Sequence, residues 1–383
     1  MKRAIAMAVV AVVAAATWLV LARRAPSGDS RVPEAVTTPI TDRHAEYPDT
    51  ILEARLEALV SSFPGRCAIA AKHLATGATA RSNANARIPL LSVVKLPVAI
   101  AVLEGVDQGR WSLDTTITLL PEDMHPRGEL GDRYPRGGGP VRLFRLVDLM
   151  IKRSDNTAAD ALMRLVGGPP AVTAWLEQHG IRDLRVDRNE RTLGNDWYGL
   201  APGADTMGSA EEIRVLRARV PGAVHDSAAR AMLLDPRDTG TAEACLQLVE
   251  RLWRGDLLSA AMTDTLKAML ARCETARHRL PGLLPKGTPV ARKTGTGGTS
   301  GGVTVAINDV GVMRLPNGDE VAIAVLVGEP RGSVRRAERL IARVARSVFD
   351  AWSAADTTGG ALQALSVRRI RKPARPGETV SRL

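Results

Sequence analysis

Apolar residues follow two different spacings along this chain, and the two are segregated. At the start of the body, Ile51, Leu52, Leu56, Leu59 and Val60 recur at helical intervals until Pro64-Gly65 ends the run. Residues 67–74 and 80–90 then read as strands on either side of Ala75-Thr76-Gly77 and predict a hairpin. The same strand pattern returns near the end, where residues 303–314 and 320–327 flank the turn Pro316-Asn317-Gly318. Between these ends the period is helical. Residues 92–103, 143–151, 157–166 and 170–179 all predict helices, and 334–352 closes with an amphipathic one. Residues 112–140 are rich in Pro and Gly and predict turns.

Strands from both ends and helices from the middle predict an α+β fold. One antiparallel sheet is built from the two ends and covered by the first and last helices. A central all-helical lobe spans about residues 92–285, with residue 92 at the boundary. No internal repeat is seen. The body is expected over residues 48–355, preceded by a Pro/Ser/Thr-rich linker at 25–47 and followed by a basic, unstructured tail at 356–383. Ser209-Ala210-Glu211-Glu212 is a capping-box pattern that opens a helix to about Val220. Pro221-Gly222 breaks it and a second apolar stretch follows to Leu234.

Charge changes the picture only at the ends. The net charge of +11 resembles that of a nucleic-acid-binding protein until it is located. Lys2, Arg3, Arg23 and Arg24 lie in the leader, and a net +5 lies from Arg368 onward, so residues 25–367 carry about +2. A nearly neutral body excludes nucleic acid as the partner of the fold; the basic tail could be drawn to an anionic membrane surface or cell-wall polymer. Lys2-Arg3, the apolar run 4–21 and Arg23-Arg24 make residues 1–24 a secretory signal peptide or an N-terminal membrane anchor. Either exports the body, to the periplasm or the cell exterior. Three cysteines are too few for a disulfide framework and none neighbours a histidine at metal-ligand spacing. Cys245 and Cys273 could pair, but buried free thiols are the simpler expectation. No metal or cofactor is implied.

The chemistry sits in three short stretches. In Leu91-Ser92-Val93-Val94-Lys95, a strand pattern gives way to an apolar helix, which places a hydroxyl and an amine one turn apart beside free backbone N–H groups. Those are the parts of an activated nucleophile with an oxyanion site. Ser154-Asp155-Asn156 falls between two predicted helices, and Lys293-Thr294-Gly295-Thr296 at the end of a β stretch. Each motif alone is usually structural. All three, in this order, are specific.

In these motifs the sequence resembles the class A serine β-lactamases, within the wider penicillin-recognising family, over about residues 47–349. The run Ala306-Ile307-Asn308-Asp309-Val310-Gly311 and the continuation Lys95-Leu96-Pro97 resemble an extended-loop subgroup. The resemblance implies a monomer acting on a small β-lactam, with Ser92 as nucleophile and Lys95, or Glu190 through water, taking its proton. Ser154 would pass a proton to the leaving nitrogen. Asn156 would position Lys95 and the substrate amide. Lys293 would hold the site positive, Thr294 and Thr296 would bind the substrate carboxylate, Gly295 between them would belong to the substrate-binding set, and the backbone N–H groups of Ser92 and Thr296 would form the oxyanion hole. Residues 185–193 resemble the opening of the family's omega loop, with Glu190 as the base for deacylation. Arg188 would pair with Asp238 where the loop closes. Two departures stand out: the residue four after Glu190, usually Asn, is Gly194, and residues 196–234 are an insertion. An Arg that many members carry just after the K-T-G motif is missing from 297–309, and His125 lies where an aromatic gate is expected. The rival implied functions are a cell-wall DD-peptidase that releases β-lactams slowly and a non-catalytic wall-binding protein.

Overall fold

The computed structural model describes residues 46–203 and 209–368. The leader, nearly all of the linker and the chain beyond 368 lie outside the described residues, as do the expectations that rest on them.

Five strands form the main sheet: β1 (Arg66–His73), β2 (Ala78–Ser82), β3 (Val290–Thr296), β4 (Ala306–Arg314) and β5 (Glu320–Gly328), in spatial order β2-β1-β5-β4-β3, each neighbouring pair antiparallel. The linker reaches less far than its composition predicts, because Tyr47–Pro48 adds a short parallel strand beside Ala78 and Thr79. Strand β5 sits at the centre and is apolar along its whole length, as burial on both faces requires. Val321, Ile323, Val325 and Val327 face one cluster, and Ala322, Ala324 and Leu326 face the other. Each buried Val, Ile or Leu contributes about 1.5–3 kcal/mol.

The first of those faces is covered by the terminal helices α1 (Thr50–Ser61) and α11 (Val334–Arg368). Asp49 ties them together: one carboxylate oxygen caps α1 at Leu52 N (2.9 Å) and the other accepts from Trp352 Nε1 (3.1 Å). Helix α11 continues to Arg368, so 356–368 are helical rather than the start of an unstructured tail. Ala354, Ala355 and 361–365 are strong helix formers that outweigh Gly359-Gly360.

The helical lobe lies over the other face. It comprises α2 (Lys95–Asp107), α3 (Leu143–Lys152), α4 (Asn156–Leu165), α5 (Pro169–Gln178), α6 (Glu190–Tyr198), α7 (Ala210–Ala218), α8 (Gly222–Ala231), α9 (Ala242–Arg254) and α10 (Ala260–Ala271), with shorter turns. Helix α2 runs through its middle, buried on nearly every side, which is why its sequence is apolar all round. Helix α9 packs on β1 and β5, over Ala68, Ala70, Ala322 and Ala324.

Three local expectations change. Residues 92–94 do not begin the helix; they form a separate 3₁₀ turn, Leu91–Val94, and α2 starts at Lys95. Pro97 is then the third helical residue, where its missing N–H breaks no hydrogen bond. The strand expected over 80–90 stops at Ser82, because Asn83 adopts φ +48°; Ile88–Pro89 pairs with Thr239–Gly240 instead. Helix α6 was not anticipated by apolar periodicity, since its sequence is mostly polar. Cys67, Cys245 and Cys273 are free thiols, the first two buried.

Candidate active site

The edge strand β3 is the floor of the site. Gly295 is its point of closest approach: a Cβ there would lie 2.3 Å from the carbonyl oxygen of Leu90. The turn carrying Ser92 therefore rests directly on the strand backbone. Asn308, paired with Gly295 across the sheet, holds that turn from behind by donating Nδ2 to the carbonyls of Pro89 (2.9 Å) and Leu90 (3.1 Å). Leu91 adopts φ +52°. A left-handed non-glycine residue costs about 1–3 kcal/mol and survives only where its surroundings dictate it. Here Leu91, Val93 and Val94 are buried and Ser92 is left half-exposed.

Lys95 follows one turn later, fully buried. Its Nζ donates to the Ser154 carbonyl (2.8 Å) and to Asn156 Oδ1, and lies 3.3 Å from Ser154 Oγ. It also pairs with Glu190 Oε1 at 3.2 Å. Ser154 (φ +61°) joins α3 to α4, and Asp155 caps α4 through Ala158 N (3.0 Å), so Asn156 is presented by the first turn of a fixed helix. From the floor, Lys293 Nζ donates to Ser154 Oγ (3.0 Å) and to the Thr294 carbonyl (3.0 Å). The Ser154 hydroxyl thus lies between two amines. A hydroxyl has two lone pairs and one proton; with its acceptors used by the lysines, its proton is free to point at a bound molecule. Burial, and then the charge of Lys95, bring the Lys293 pKa down to about 7.

The two threonines of the strand differ. Thr296 is exposed at the cleft. Thr294 is 3% exposed and shares its hydroxyl with Thr275 Oγ1 at 2.6 Å, so direct contact with a substrate carboxylate fits Thr296 better than Thr294. Behind Thr296 stands Arg279, a residue missed by looking only downstream of the motif. It is buried and donates to Thr296 Oγ1 (2.7 Å) and to the carbonyls of Gly295 (3.0 Å) and Asn308 (2.9 Å). Burial holds its pKa below the usual arginine range. No local pattern marks it, because it acts across the fold from a turn.

Glu190 is the first residue of α6 and is 8% exposed. Asn189 caps this helix at Thr192 N (2.8 Å), and Asp160 of α4 accepts from Glu190 N (2.7 Å) and Arg191 N (3.0 Å). Asp160 also bonds His125 Nε2 at 2.9 Å. His125 is therefore a buried, partnered residue at the cleft wall. Arg188 pairs with Asp238 (Nε to Oδ2, 2.6 Å), and the other Asp238 oxygen accepts from the backbone of Asp187 (2.7 Å) and Arg188 (3.0 Å). Arg188 Nη1 adds Asp196 (2.7 Å) and Asp235 (3.0 Å). The two ends of this long loop are thus clamped together at the base of α6.

The insertion forms one wall. Helix α8 packs on α6 and on the short hairpin 299–304 beyond β3, where Ser300 Oγ donates to Asp226 Oδ1 (2.6 Å). The resulting cleft, about 550 Å³, is lined by Leu91, Asn156, Glu190, Gly194 and Thr296 and by Arg214 and Arg217 of α7. Among the described residues no His, Cys, Asp and Glu cluster could hold a metal ion. The arrangement supplies a half-exposed hydroxyl, two buried amines, a second hydroxyl between them and a carboxylate, which is the equipment for acyl transfer to and from a serine.

The profile of the Beta-lactamase enzyme family matches residues 51–352. Extended-spectrum beta-lactamase PER-1 of Pseudomonas aeruginosa is 30% identical over 270 residues, covering 69% of this chain and 75% of that protein. Beta-lactamase VEB-1 of the same organism is 27% identical over 301 residues, covering 78% and 89%. Among solved structures, a beta-lactamase from Chitinophaga pinensis matches with a TM-score of 0.66 at 28% identity, over 79% of this chain and 99% of that one. With the motif set of the class A serine enzymes gathered in one cleft, the chain belongs to the Beta-lactamase enzyme family.

Proposed function

We propose that this chain hydrolyses β-lactams through an acyl-enzyme on Ser92. Ser92 Oγ attacks the ring carbonyl, the C–N bond breaks, and the leaving nitrogen takes the Ser154 proton. The Ser92 proton passes to Lys95, or through a water to Glu190 and on to Lys95, and Lys95 returns a proton to Ser154 Oγ, 3.3 Å from its Nζ, so that Glu190 is again a carboxylate. Backbone N–H groups of Ser92 and Thr296 stabilise the oxyanion. Thr296, backed by Arg279, and charged Lys293 hold the substrate carboxylate. Water then adds to the ester, with its proton taken by Glu190, and Ser92 is restored.

The observation that carries this reading is the Glu190 carboxylate, buried 3.2 Å from Lys95 Nζ in the cleft of the serine turn. A base must lie within reach of the water it activates, and a protein that only traps β-lactams needs none. The test is to mix the protein with a chromogenic cephalosporin while following colour and intact mass. Sustained turnover is expected, and Glu190→Gln should convert it to one burst with a stable adduct on Ser92. If acylation of Glu190→Gln keeps its rate, Lys95 is the first base. A single burst from the wild type would support the slow-release, peptidase-like reading, which Gly194 favours. No adduct at all would support a binding role.

The leader 1–24 supports export to the periplasm or cell exterior, with cleavage and membrane retention distinguished by fractionation and the mass of the N-terminus. A monomer is expected on size exclusion. Sedimentation with isolated peptidoglycan tests any wall binding by the basic tail.

A further inference from the structure

Gly194 lies four residues after Glu190 on α6, so it shares the helix face that carries the carboxylate. Glycine is a poor residue for a helix interior, and here its lack of a side chain admits a foreign one. A Cβ at position 194 would lie 2.4 Å from Arg217 Nη2. That nitrogen donates to Asn195 Oδ1 (2.9 Å) and to the Arg191 carbonyl (3.3 Å), and Arg217 Nε donates to the same Asn195 oxygen (3.2 Å). The guanidinium also lies 5.3 Å from the centre of the Tyr198 ring.

Residues 191, 194, 195 and 198 are spaced as i, i+3, i+4 and i+7, one stripe along α6. Arg217, from α7 of the insertion, lies over that stripe. The inserted pair is anchored in turn. His225 of α8 stacks on Tyr198 (ring centroids 4.7 Å) and meets Trp197 edge-on (5.1 Å), while Asp226 holds Ser300 beyond the floor strand. Trp197 lies against Gly298, where a Cβ would meet its ring at 2.5 Å.

We propose that Arg217 is a positioning residue for deacylation. Seated over Gly194, it braces α6 against the insertion and fixes the Glu190 carboxylate relative to Lys95 and the attacking water. The insertion is then part of the catalytic frame, standing in for the missing side chain at 194. This rests on Glu190 acting as the deacylation base.

The test uses the full chain with Arg217→Ala, Arg217→Lys, Gly194→Ala and the Gly194→Ala/Arg217→Ala double variant. The readouts are the acylation rate, the lifetime of the Ser92 adduct by intact mass, and amide hydrogen exchange over 188–199. Small misplacements of a catalytic group cost up to roughly 100-fold in rate. Arg217→Ala should lengthen the adduct lifetime about 10- to 100-fold, leave acylation near the wild-type rate and speed exchange in α6. Arg217→Lys should recover part of the loss, because an ammonium keeps the charge without the planar fork. Gly194→Ala should lengthen the lifetime by displacing the guanidinium, yet add nothing in the Arg217→Ala background. An unchanged lifetime and unchanged exchange in Arg217→Ala would overturn the proposal. So would equal losses in acylation and deacylation together with a lower Tm. If the wild type forms no adduct, the hydrolytic reading fails, and exchange over 188–199 alone decides whether the brace exists.

Discussion

Replacing Arg188 by Met tests whether the loop clamp sets stability and the position of Glu190 together. Arg188 and Asp238 are both nearly fully buried, with Nε and Oδ2 2.6 Å apart. Removing one partner of a buried pair leaves an uncompensated charge and costs about 3–5 kcal/mol. Asp196 and Asp235 are more exposed, so their shares are screened to about 0.5 kcal/mol each. The total is about 5 kcal/mol. A body of this size loses roughly 2 °C per kcal/mol, so Tm should fall by about 10 °C. Because α6 starts two residues after Arg188, adduct lifetime should also rise. Scanning calorimetry, denaturant midpoints and limited proteolysis of 185–240 read the first effect, and intact mass reads the second. Adding Asp238→Asn should cost less than the sum of the two single changes, since the stranded charge is gone. A loss below about 1 kcal/mol for Arg188→Met would refute the clamp, as would strict additivity in the double variant.

Other predictions follow from the same geometry. Lys293 has a pKa near 7, so its charge fades as pH rises through that value; KM for carboxylate-bearing β-lactams should rise above pH 7, and Lys293→Arg should flatten the profile. The unfolded chain keeps the Lys293 proton to about pH 10.4. Between those values the unfolded state binds more protons, so this group makes stability rise with pH, a slope that Lys293→Met should remove in denaturation series. Asn308→Ala leaves the Pro89 and Leu90 carbonyls without their donor and should cost about 2–3 kcal/mol, slowing acylation more than deacylation in burst kinetics. Burial pushes the Cys67 and Cys245 thiols up to about 12, so native protein at pH 8 should take one alkyl group, at half-exposed Cys273, and three after unfolding.

Much of the site was legible because its chemistry is written in short, local strings. Ser92 with Lys95, Ser154 with Asn156, and the K-T-G stretch each occupy a few adjacent residues at the end of a predicted element. Residues that act across the fold were not legible. Arg279 reaches Thr296 from a turn, Asp160 gathers His125 and the start of α6, and Asn308 holds the serine turn from a neighbouring strand. Their local sequence does not mark these roles: the run around Asn308 resembles that of a subgroup but does not point to the serine turn. Helix α6 escaped for the opposite reason. It is mostly polar and is held by caps and ion pairs, so it lacks the apolar stripe on which periodicity depends.

The chain's local pattern was enough to set its elements and layers, because burial forces period 2 on a strand with one covered face, a continuous apolar run on β5 and all-round apolarity on α2. It also set the order of the nucleophile, relay and floor motifs. Tertiary structure decided where α2 begins, since the Leu91–Val94 turn before Lys95 is seated on the β3 backbone and held there by Asn308. It decided which threonine faces the cleft, by pairing Thr294 with Thr275. It also decided what occupies the space beside Gly194. A glycine records only that a side chain is missing, and that Arg217 enters the gap depends on helix packing that no neighbouring residue encodes.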